Sequence, residues 1–206
     1  MILPRFASSG LVLIVLLSPT VARADLIPWE FSWSRTPAEI HADAPGTGKV
    51  FLTDQTTTIA VNNSTVVATN LFTQSTAPDS TPDRFTNKGY TLILTLTDLA
   101  SGQSGDLVFT GQINGRLSTA SVHLTNTFTG DMDQSLRLGS TLFRVHDFSY
   151  TPPSVPSATN RGSISAFVEV LAVPEPTTLS LVGIGSLLLG TFGLGVRRVQ
   201  QRRGVK

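Results

Sequence analysis

The chain has 206 residues, a formal net charge of +1 and no cysteine, which excludes disulfides, thiolate nucleophiles and thiolate metal sites. The charge is uneven: residues 25–172 carry 8 basic and 13 acidic side chains, a net charge of about −5. A mildly acidic segment without a basic stripe argues against nucleic acid or anionic lipid as a partner. Its length suits one domain with a hydrophobic core rather than two.

The first 24 residues have the organisation of a secretory signal peptide. Arg5 supplies the basic start, and residues 10–17 form a short apolar run. Ala22 and Ala24 are the small residues expected at positions −3 and −1 of a cleavage site. We predict a signal peptide over residues 1–24, cleaved after Ala24. An uncleaved anchor is the alternative, although the apolar run is short for a membrane span.

Aromatic side chains alternate soon after the predicted cleavage site. Trp29, Phe31 and Trp33 are two residues apart, so they would share one face of a β-strand. Such a strip commonly covers the core of a sandwich, but it can also form a platform that stacks on sugar rings. The second interpretation makes Trp29 and Trp33 candidate glycan contacts.

Alternating residue patterns predict β-structure throughout residues 25–172. The clearest strand is 90–97, in which tyrosine and leucine alternate with threonine and isoleucine. Asn114-Gly115 is typical of a type I′ hairpin turn, where both central residues need positive φ. No window of about 12 residues shows the apolar repeat of a helix. Further strands are predicted at residues 49–53, 56–61, 65–72, 106–112, 116–128, 135–138, 142–150 and 163–171.

These short strands, separated by glycine, proline and asparagine, predict an all-β fold. We expect a single antiparallel β-sandwich, Greek-key or jelly-roll-like, over residues 25–172. It would be flanked by the N-terminal signal peptide and a C-terminal transmembrane helix. A barrel is the alternative, and the strand order does not follow from the sequence.

No motif for catalysis or cofactor binding is present. The sequence lacks a Gly-x-Ser-x-Gly elbow, a P-loop and a dinucleotide fingerprint. His41, His123 and His146 lack the close spacing of zinc ligands. His123 and His146 could meet across a sheet, although polar surface positions are more typical. We therefore predict no catalytic residue, no cofactor and no enzyme activity. A glycosidase would need two carboxyl groups about 5–9 Å apart in a cleft.

A glycine turn near the middle of the chain carries two carboxylates. Asp131 and Asp133 follow Gly130, and Asp-rich turns of exported β-domains can bind calcium. A calcium ion takes about 6–8 oxygen ligands, so these two residues supply only part of a site. Asp131 and Asp133 are therefore candidate calcium ligands, with a solvated turn as the alternative.

The C-terminal residues 173–206 have three parts. Residues 173–176 are Val-Pro-Glu-Pro, an extended strip, because each proline restricts its own backbone angle and that of the residue before it. Residues 177–196 are uncharged and apolar, and as a helix they would span about 30 Å, the thickness of a bilayer's hydrocarbon core. The basic residues 197–206 should hold that end on the cytoplasmic side. Its arginines are Arg197, Arg198, Arg202 and Arg203.

This three-part tail resembles the PEP-CTERM sorting signal of Gram-negative-type bacteria, with Pro174, Glu175 and Pro176 matching the recognition motif. The resemblance covers residues 173–206. It implies export, a transient stay in the inner membrane and processing by an exosortase, a membrane-embedded cysteine transpeptidase. Residues 90–115 also resemble threonine-rich exported bacterial β-domains that accompany such tails, but those domains have no activity to transfer.

Two classes of function fit these observations. The first is a non-catalytic protein of the cell surface or extracellular matrix, delivered through the inner membrane by the sorting tail. The second is a glycan-binding module of the envelope or exopolysaccharide, using calcium or the Trp29 and Trp33 face. The expected partners are an exosortase-type transpeptidase and exopolysaccharide, and nucleic acid is not among them.

Overall fold

A computed structural model describes residues 26–154 and 161–173 of the chain. The predicted signal peptide over 1–24, the transmembrane helix over 177–196 and the basic tail over 197–206 lie outside the described residues. So do the single residues named for cleavage, sorting and membrane orientation: Ala22, Ala24, Pro174, Glu175, Pro176, Arg197, Arg198, Arg202 and Arg203. In the part that the structure describes, no helix is long and apolar enough to cross a membrane.

Antiparallel β-strands account for the regular structure of the described residues. The eleven strands are β1 (Pro28–Thr36), β2 (Glu39–His41), β3 (Lys49–Leu52), β4 (Gln55–Val61), β5 (Ser64–Gln74), β6 (Asp83–Asp98), β7 (Gln103–Leu117), β8 (Val122–Thr129), β9 (Gln134–Leu138), β10 (Thr141–Thr151) and β11 (Gly162–Ala172). Strands β6, β7 and β8 follow one another as a meander, as do β9, β10 and β11.

The strands form two sheets. One has five strands in the order β4-β1-β6-β7-β8, and the other has six in the order β2-β3-β5-β11-β10-β9. Every pairing within them is antiparallel. The prediction of an all-β protein with antiparallel sheets is confirmed, and the two sheets are consistent with a β-sandwich. Strands β4 and β8 are the edges of the five-stranded sheet, and β2 and β9 are the edges of the six-stranded sheet.

The period-two pattern of the strands places one row of side chains in the core. In β6, Leu92, Leu94 and Leu96 are buried, whereas the residues between them are only partly buried. In β11 of the other sheet, Ile164 and Val168 are buried as well. Removing apolar surface from water contributes roughly 25 cal/mol per Å², so these rows supply the main stabilising term.

The hairpin turn predicted at Asn114-Gly115 is wrong. Both residues lie inside β7, and Gly115 has φ +132 within the ladder between β6 and β8. The chain reverses later, at residues 118–121, where the Ser118 hydroxyl accepts the Ser121 amide at 2.9 Å. A serine side chain can close a turn in this way, so the turn does not need the Asn-Gly pair.

Asn114 forms a long-range hydrogen bond rather than part of a turn. Its side-chain oxygen accepts the backbone amide of Asn87 at 2.7 Å, at the irregularity between β6 and β7. The first half of β6, which includes Asn87, was not predicted as a strand, and neither was the short strand β2. Charged and turn-forming residues in both segments hid their pairing from the sequence pattern.

The two tyrosines of the chain contact strand β8, Tyr90 as a buried residue and Tyr150 as a partly buried one. The Tyr90 hydroxyl donates to Asn126 Oδ1 at 2.7 Å, and the Tyr150 hydroxyl donates to the Leu124 carbonyl at 3.3 Å. Burial raises the pKa of Tyr90 above its ordinary range and raises the pKa of Tyr150 to about 12. The unfolded hydroxyls ionise near pH ~10.

We expect the free energy of unfolding to fall as pH rises above about 10, because the unfolded state then loses protons that the folded tyrosines retain. The stabilisation from the two protonated hydroxyls is fully present below the pKa of the unfolded tyrosines. It is lost as the pH approaches the pKa of the folded tyrosines. Urea unfolding at increasing alkaline pH, read by circular dichroism, measures it. Replacing both residues, as Tyr90→Phe/Tyr150→Phe, should flatten the alkaline limb; an unchanged limb would contradict the assignment.

Candidate functional site

A surface cleft of about 430 Å³ lies between the β2–β3 connection and the β5–β6 connection. Its lining is made of alanine, glycine, proline and threonine together with Asp43, Asp83 and Arg84, and contains no aromatic side chain. Prolines Pro45, Pro78 and Pro82 shape its walls. The cleft therefore combines small apolar side chains with a few charged and hydroxyl groups, and its prolines restrict the backbone of the walls.

Asp83, the first residue of β6, lies at the buried end of the cleft and is 7% exposed. Its carboxylate accepts the Thr47 backbone amide at 2.9 Å and the Ser75 hydroxyl at 2.6 Å. A Cβ atom added at Gly48 would lie 2.8 Å from Asp83 Oδ2, so the glycine permits this close approach. Asp83 therefore ties the two connections that form the cleft to each other.

Asp43, the other carboxylate of the cleft, lies at its partly exposed rim. Its carboxylate contacts Lys88 Nζ at 2.7 Å and accepts the Thr86 hydroxyl at 2.6 Å. These two side-chain contacts hold the pKa of Asp43 below its usual range, because both favour the charged form. The backbone amide of Asp43 also donates to the Arg84 carbonyl at 2.7 Å, which joins the rim to β6.

The two carboxylates of the cleft are thus already engaged by donors. These contacts orient both carboxylates, although a carboxylate has about four acceptor positions and the contacts do not fill them all. The Thr47 and Thr76 hydroxyls bond to each other at 2.8 Å, and the exposed polar side chains of the lining include Arg84 and Thr81. Such a surface can hold a small polar group by hydrogen bonds.

Two further aspartates hold connections in the same way. Asp98, the last residue of β6, is fully buried and accepts the Ser101 hydroxyl at 2.6 Å and the Ala100 amide at 3.2 Å. Asp79 accepts the hydroxyls of Ser118 and Ser121, which lie in the β7–β8 turn. The central strand β6 therefore begins and ends at a buried aspartate that orders the neighbouring chain.

Trp29 and Trp33 lie in the core, with exposed fractions of 0% and 2%. The Trp29 ring meets Phe143 of the other sheet edge-on at 5.8 Å, and its Nε1 donates to the Asn62 carbonyl at 2.9 Å. Trp33 packs between Phe109 and Phe148, at centroid distances of 5.9 and 6.5 Å. The aromatic strip is on one strand face, as its spacing indicated.

That face is directed inward, so Trp29 and Trp33 cannot stack on a sugar ring. Their assignment as glycan contacts is wrong. The physical reason is the size of their apolar surface, which is stabilised most when both sheets cover it. The glycan-binding alternative thereby loses one of its two suggested contacts, the aromatic face.

The candidate calcium ligands lie in the β8–β9 connection. Asp133 receives both arms of the Arg144 guanidinium, with Nε at 2.8 Å from Oδ1 and a second nitrogen at 2.5 Å from Oδ2. This bidentate pair holds the pKa of Asp133 below its usual range. Asp131 accepts the Asp133 amide at 3.0 Å. Among the described residues, no three histidine or carboxylate side chains are grouped to hold a metal ion.

The histidines do not come together. His123 is in β8 of the five-stranded sheet, whereas His146 is in β10 of the six-stranded sheet, so the less favoured alternative, a meeting of the two across one sheet, does not occur. His146 instead lies 3.0 Å from Asp147 and packs its ring against Phe167 at 5.3 Å. His41 lies 3.7 Å from Glu39 in β2, at the opposite end of the six-stranded sheet.

Asp83 and Asp98 were missed by the sequence analysis. Asp98 has a readable local signal, since its partners Ala100 and Ser101 follow within three residues. Asp83 has no such local signal, because its donor Thr47 is 36 residues away in the chain and is brought close only by the fold. Comparisons with known proteins add nothing to this site: no family model, curated protein or solved structure matches the chain.

Proposed function

We propose that the chain is a non-catalytic exported protein of the bacterial cell surface or extracellular matrix, delivered by a PEP-CTERM-type tail. The observation that carries this proposal is the order of the three parts of residues 173–206. On this view an exosortase-type transpeptidase of the inner membrane recognises Pro174, Glu175 and Pro176. The processed product then reaches the surface or the exopolysaccharide around the cell.

The position of the tail relative to the sheets supports this proposal. Strand β11 ends at Ala172, and the Val173 amide still donates to the Ser140 carbonyl at 2.7 Å. The sorting motif begins at the next residue, so cleavage there would leave all the described strands in the product. The same holds at the other end, where β1 begins at Pro28, four residues after the proposed signal cleavage at Ala24.

The side chains of the described sandwich are also compatible with a structural role. The buried aspartates fix connections, and the tryptophans fill the core, so these groups contribute to rigidity rather than to a reaction centre. The outer faces carry many threonine residues, which favour strands and give solubility without charge. We also infer a Greek-key connection, since β5 lies beside β11 at the end of the β9-β10-β11 meander.

We expect Glu175→Ala to prevent processing in cells that contain an exosortase-type transpeptidase, because the extended strip then lacks its only carboxylate. Intact mass and cell fractionation measure the outcome. The unaltered chain should yield a product that starts at Asp25, ends near Pro174 and lies outside the inner membrane. The variant should retain the tail to Lys206 in the inner membrane.

Glu30→Ala is the matched control, because it makes the same change on the outer face of β1 and leaves the tail intact. It should be processed like the unaltered chain. If the unaltered chain keeps its tail in the inner membrane, and Glu175→Ala changes nothing, the protein is a plain single-span anchor and the sorting proposal fails.

A further inference from the structure

Three basic side chains lie side by side on the outer face of the five-stranded sheet. Arg84 of β6 is the register partner of Arg116 of β7, and Arg116 is also the partner of His123 of β8. All three residues are exposed, whereas the neighbouring positions Phe85 and Leu124 are buried in the core. Partners in such a ladder project to the same side of the sheet, with Cβ atoms about 4.5–5.5 Å apart. We refer to Arg84, Arg116 and His123 as the basic row.

The two arginines of the basic row have no partner within the part of the chain that the structure describes. Neither guanidinium forms an ion pair or a hydrogen bond there, whereas four other basic residues contact carboxylates at 2.5–3.0 Å: Arg35, Lys49, Lys88 and Arg144. Like charges directly opposite each other destabilise a sheet, so the pairing of Arg84 with Arg116 is not explained by stability. It is complementary to an anion that comes from outside the chain and neutralises both groups.

The carboxylates around the basic row are bound elsewhere or distant. Arg84 also lines the cleft, but Asp43 and Asp83 of that cleft form no ion pair with it and contact the donors described above. Asp79 accepts the hydroxyls of the β7–β8 turn. Asp106 is on the same face of β7, ten residues before the row, which is about 33 Å along the strand. An external anion at the row therefore meets two cations without a competing ion pair.

The size of the basic row indicates a single anionic group rather than an extended polyanion. Each guanidinium can donate two parallel hydrogen bonds to a carboxylate or a sulfate. Nucleic acids and anionic lipid surfaces are bound by larger sets, of about 4–10 basic residues. Residues 25–172 also carry a net charge of about −5, which repels a polyanion everywhere except at such a local site.

The positions next to the basic row carry hydroxyl and amide groups. Thr125 and Thr127 are exposed and follow His123 on the same face of β8, and Asn114 is the next residue of that face on β7. None of these side chains is aromatic or aliphatic, so a peptide ligand would find no apolar anchor here. Hydroxyl and amide groups can instead exchange hydrogen bonds with the hydroxyls of a sugar.

We propose that the basic row binds the carboxylate or sulfate group of an acidic polysaccharide. Arg84 and Arg116 hold the anionic group between them, His123 adds a ring nitrogen, and Thr125 lies beside the hydroxyls of the sugar. The inference rests on the proposed function for the place where the chain meets a polysaccharide. Its test measures binding alone, so failure of the processing experiment would leave the binding result standing, and the reverse also holds.

Binding of the full chain to immobilised polygalacturonate, in a non-ionic detergent, tests the proposal. The arginines of residues 197–206 would attract any polyanion, so every chain compared carries glutamine at those four positions. We expect Arg84→Gln/Arg116→Gln to raise the apparent Kd about fivefold or more, because two exposed ion pairs to the anion are lost. Neutral dextran should not bind, and dextran sulfate distinguishes a sulfate site from a carboxylate site.

Arg137→Gln/Arg161→Gln is the matched control, because it also removes two exposed arginines, but at the six-stranded sheet. It should leave the apparent Kd unchanged. Urea unfolding checks that the test variant is folded: loss of the opposed like charges should leave its free energy of unfolding unchanged or raise it.

Three results would overturn the proposal. The first is no binding of the unaltered row to either acidic polysaccharide. The second is an equal rise in the apparent Kd for the two double variants, which would indicate general charge attraction. The third is equally tight, row-dependent binding of polyglutamate, which would make the row a site for acidic peptides.

Discussion

We expect Trp29→Ala to lower the free energy of unfolding by about 3–5 kcal/mol, the range for truncating a large buried aromatic residue. Trp29 is fully buried between Phe31 of its own strand and Phe143 of the other sheet. The substitution removes the contact between the sheets and also leaves the Asn62 carbonyl without its indole donor. Urea unfolding, read by circular dichroism, measures the change.

Phenylalanine substitutions separate packing from hydrogen bonding. Trp29→Phe removes the hydrogen bond from the indole N–H to the Asn62 carbonyl. Trp33→Phe removes an indole N–H that has no hydrogen-bond partner in the structure. We therefore expect Trp33→Phe to destabilise the protein less than Trp29→Phe. If Trp29→Ala instead left stability unchanged and removed polysaccharide retention, Trp29 would be a surface contact and its core position would be refuted.

We expect Gly115→Ala to cost about 3 kcal/mol of stability, since backbone strain and overpacking each contribute about 1–3 kcal/mol. Gly115 has φ +132, a conformation that residues with a Cβ atom rarely adopt. An added Cβ would also lie 2.0 Å from the His123 carbonyl oxygen of β8. That oxygen belongs to the backbone, so relief requires the β7–β8 ladder to shift.

Gly89→Ala is the matched control, because an added Cβ at Gly89 of β6 would meet no atom within 4 Å. It should leave the free energy of unfolding unchanged or raise it slightly, by restricting the unfolded chain. Both variants can be compared by thermal and urea unfolding. Equal changes in the free energy of unfolding for the two variants would show that the positive φ and the close contact at Gly115 do not matter for stability.

Much of the fold was predictable because the sandwich requires a local pattern. The alternation of leucine and threonine in β6 marks a strand with one buried face, and it does so without knowledge of any neighbour. The pattern fails where pairing is irregular. Gly115 looked like a turn residue, yet its positive φ serves an irregular part of the ladder, and the turn lies at Ser118.

The candidate site was less predictable than the fold. The sequence pattern singles out Asp131 and Asp133 because they are close together in the chain, but Arg144 of β10 forms an ion pair with Asp133. Asp83 was overlooked because its donors Thr47 and Ser75 lie on different connections. A carboxylate's role depends on which donors reach it, and those donors come from segments that only the sheet order brings together.

The sequence by itself determined the strand character of residues 25–172 and the three-part tail that carries the proposed address, because both depend on runs of neighbouring residues. The tertiary structure decided which face of the Trp29–Trp33 strip is covered, which aspartates are engaged and which strands end the two sheets. Each of these depends on pairing between distant segments. The alternation of a strand shows that it has two faces, but only its neighbours in the fold determine which face, and which edge, meets water.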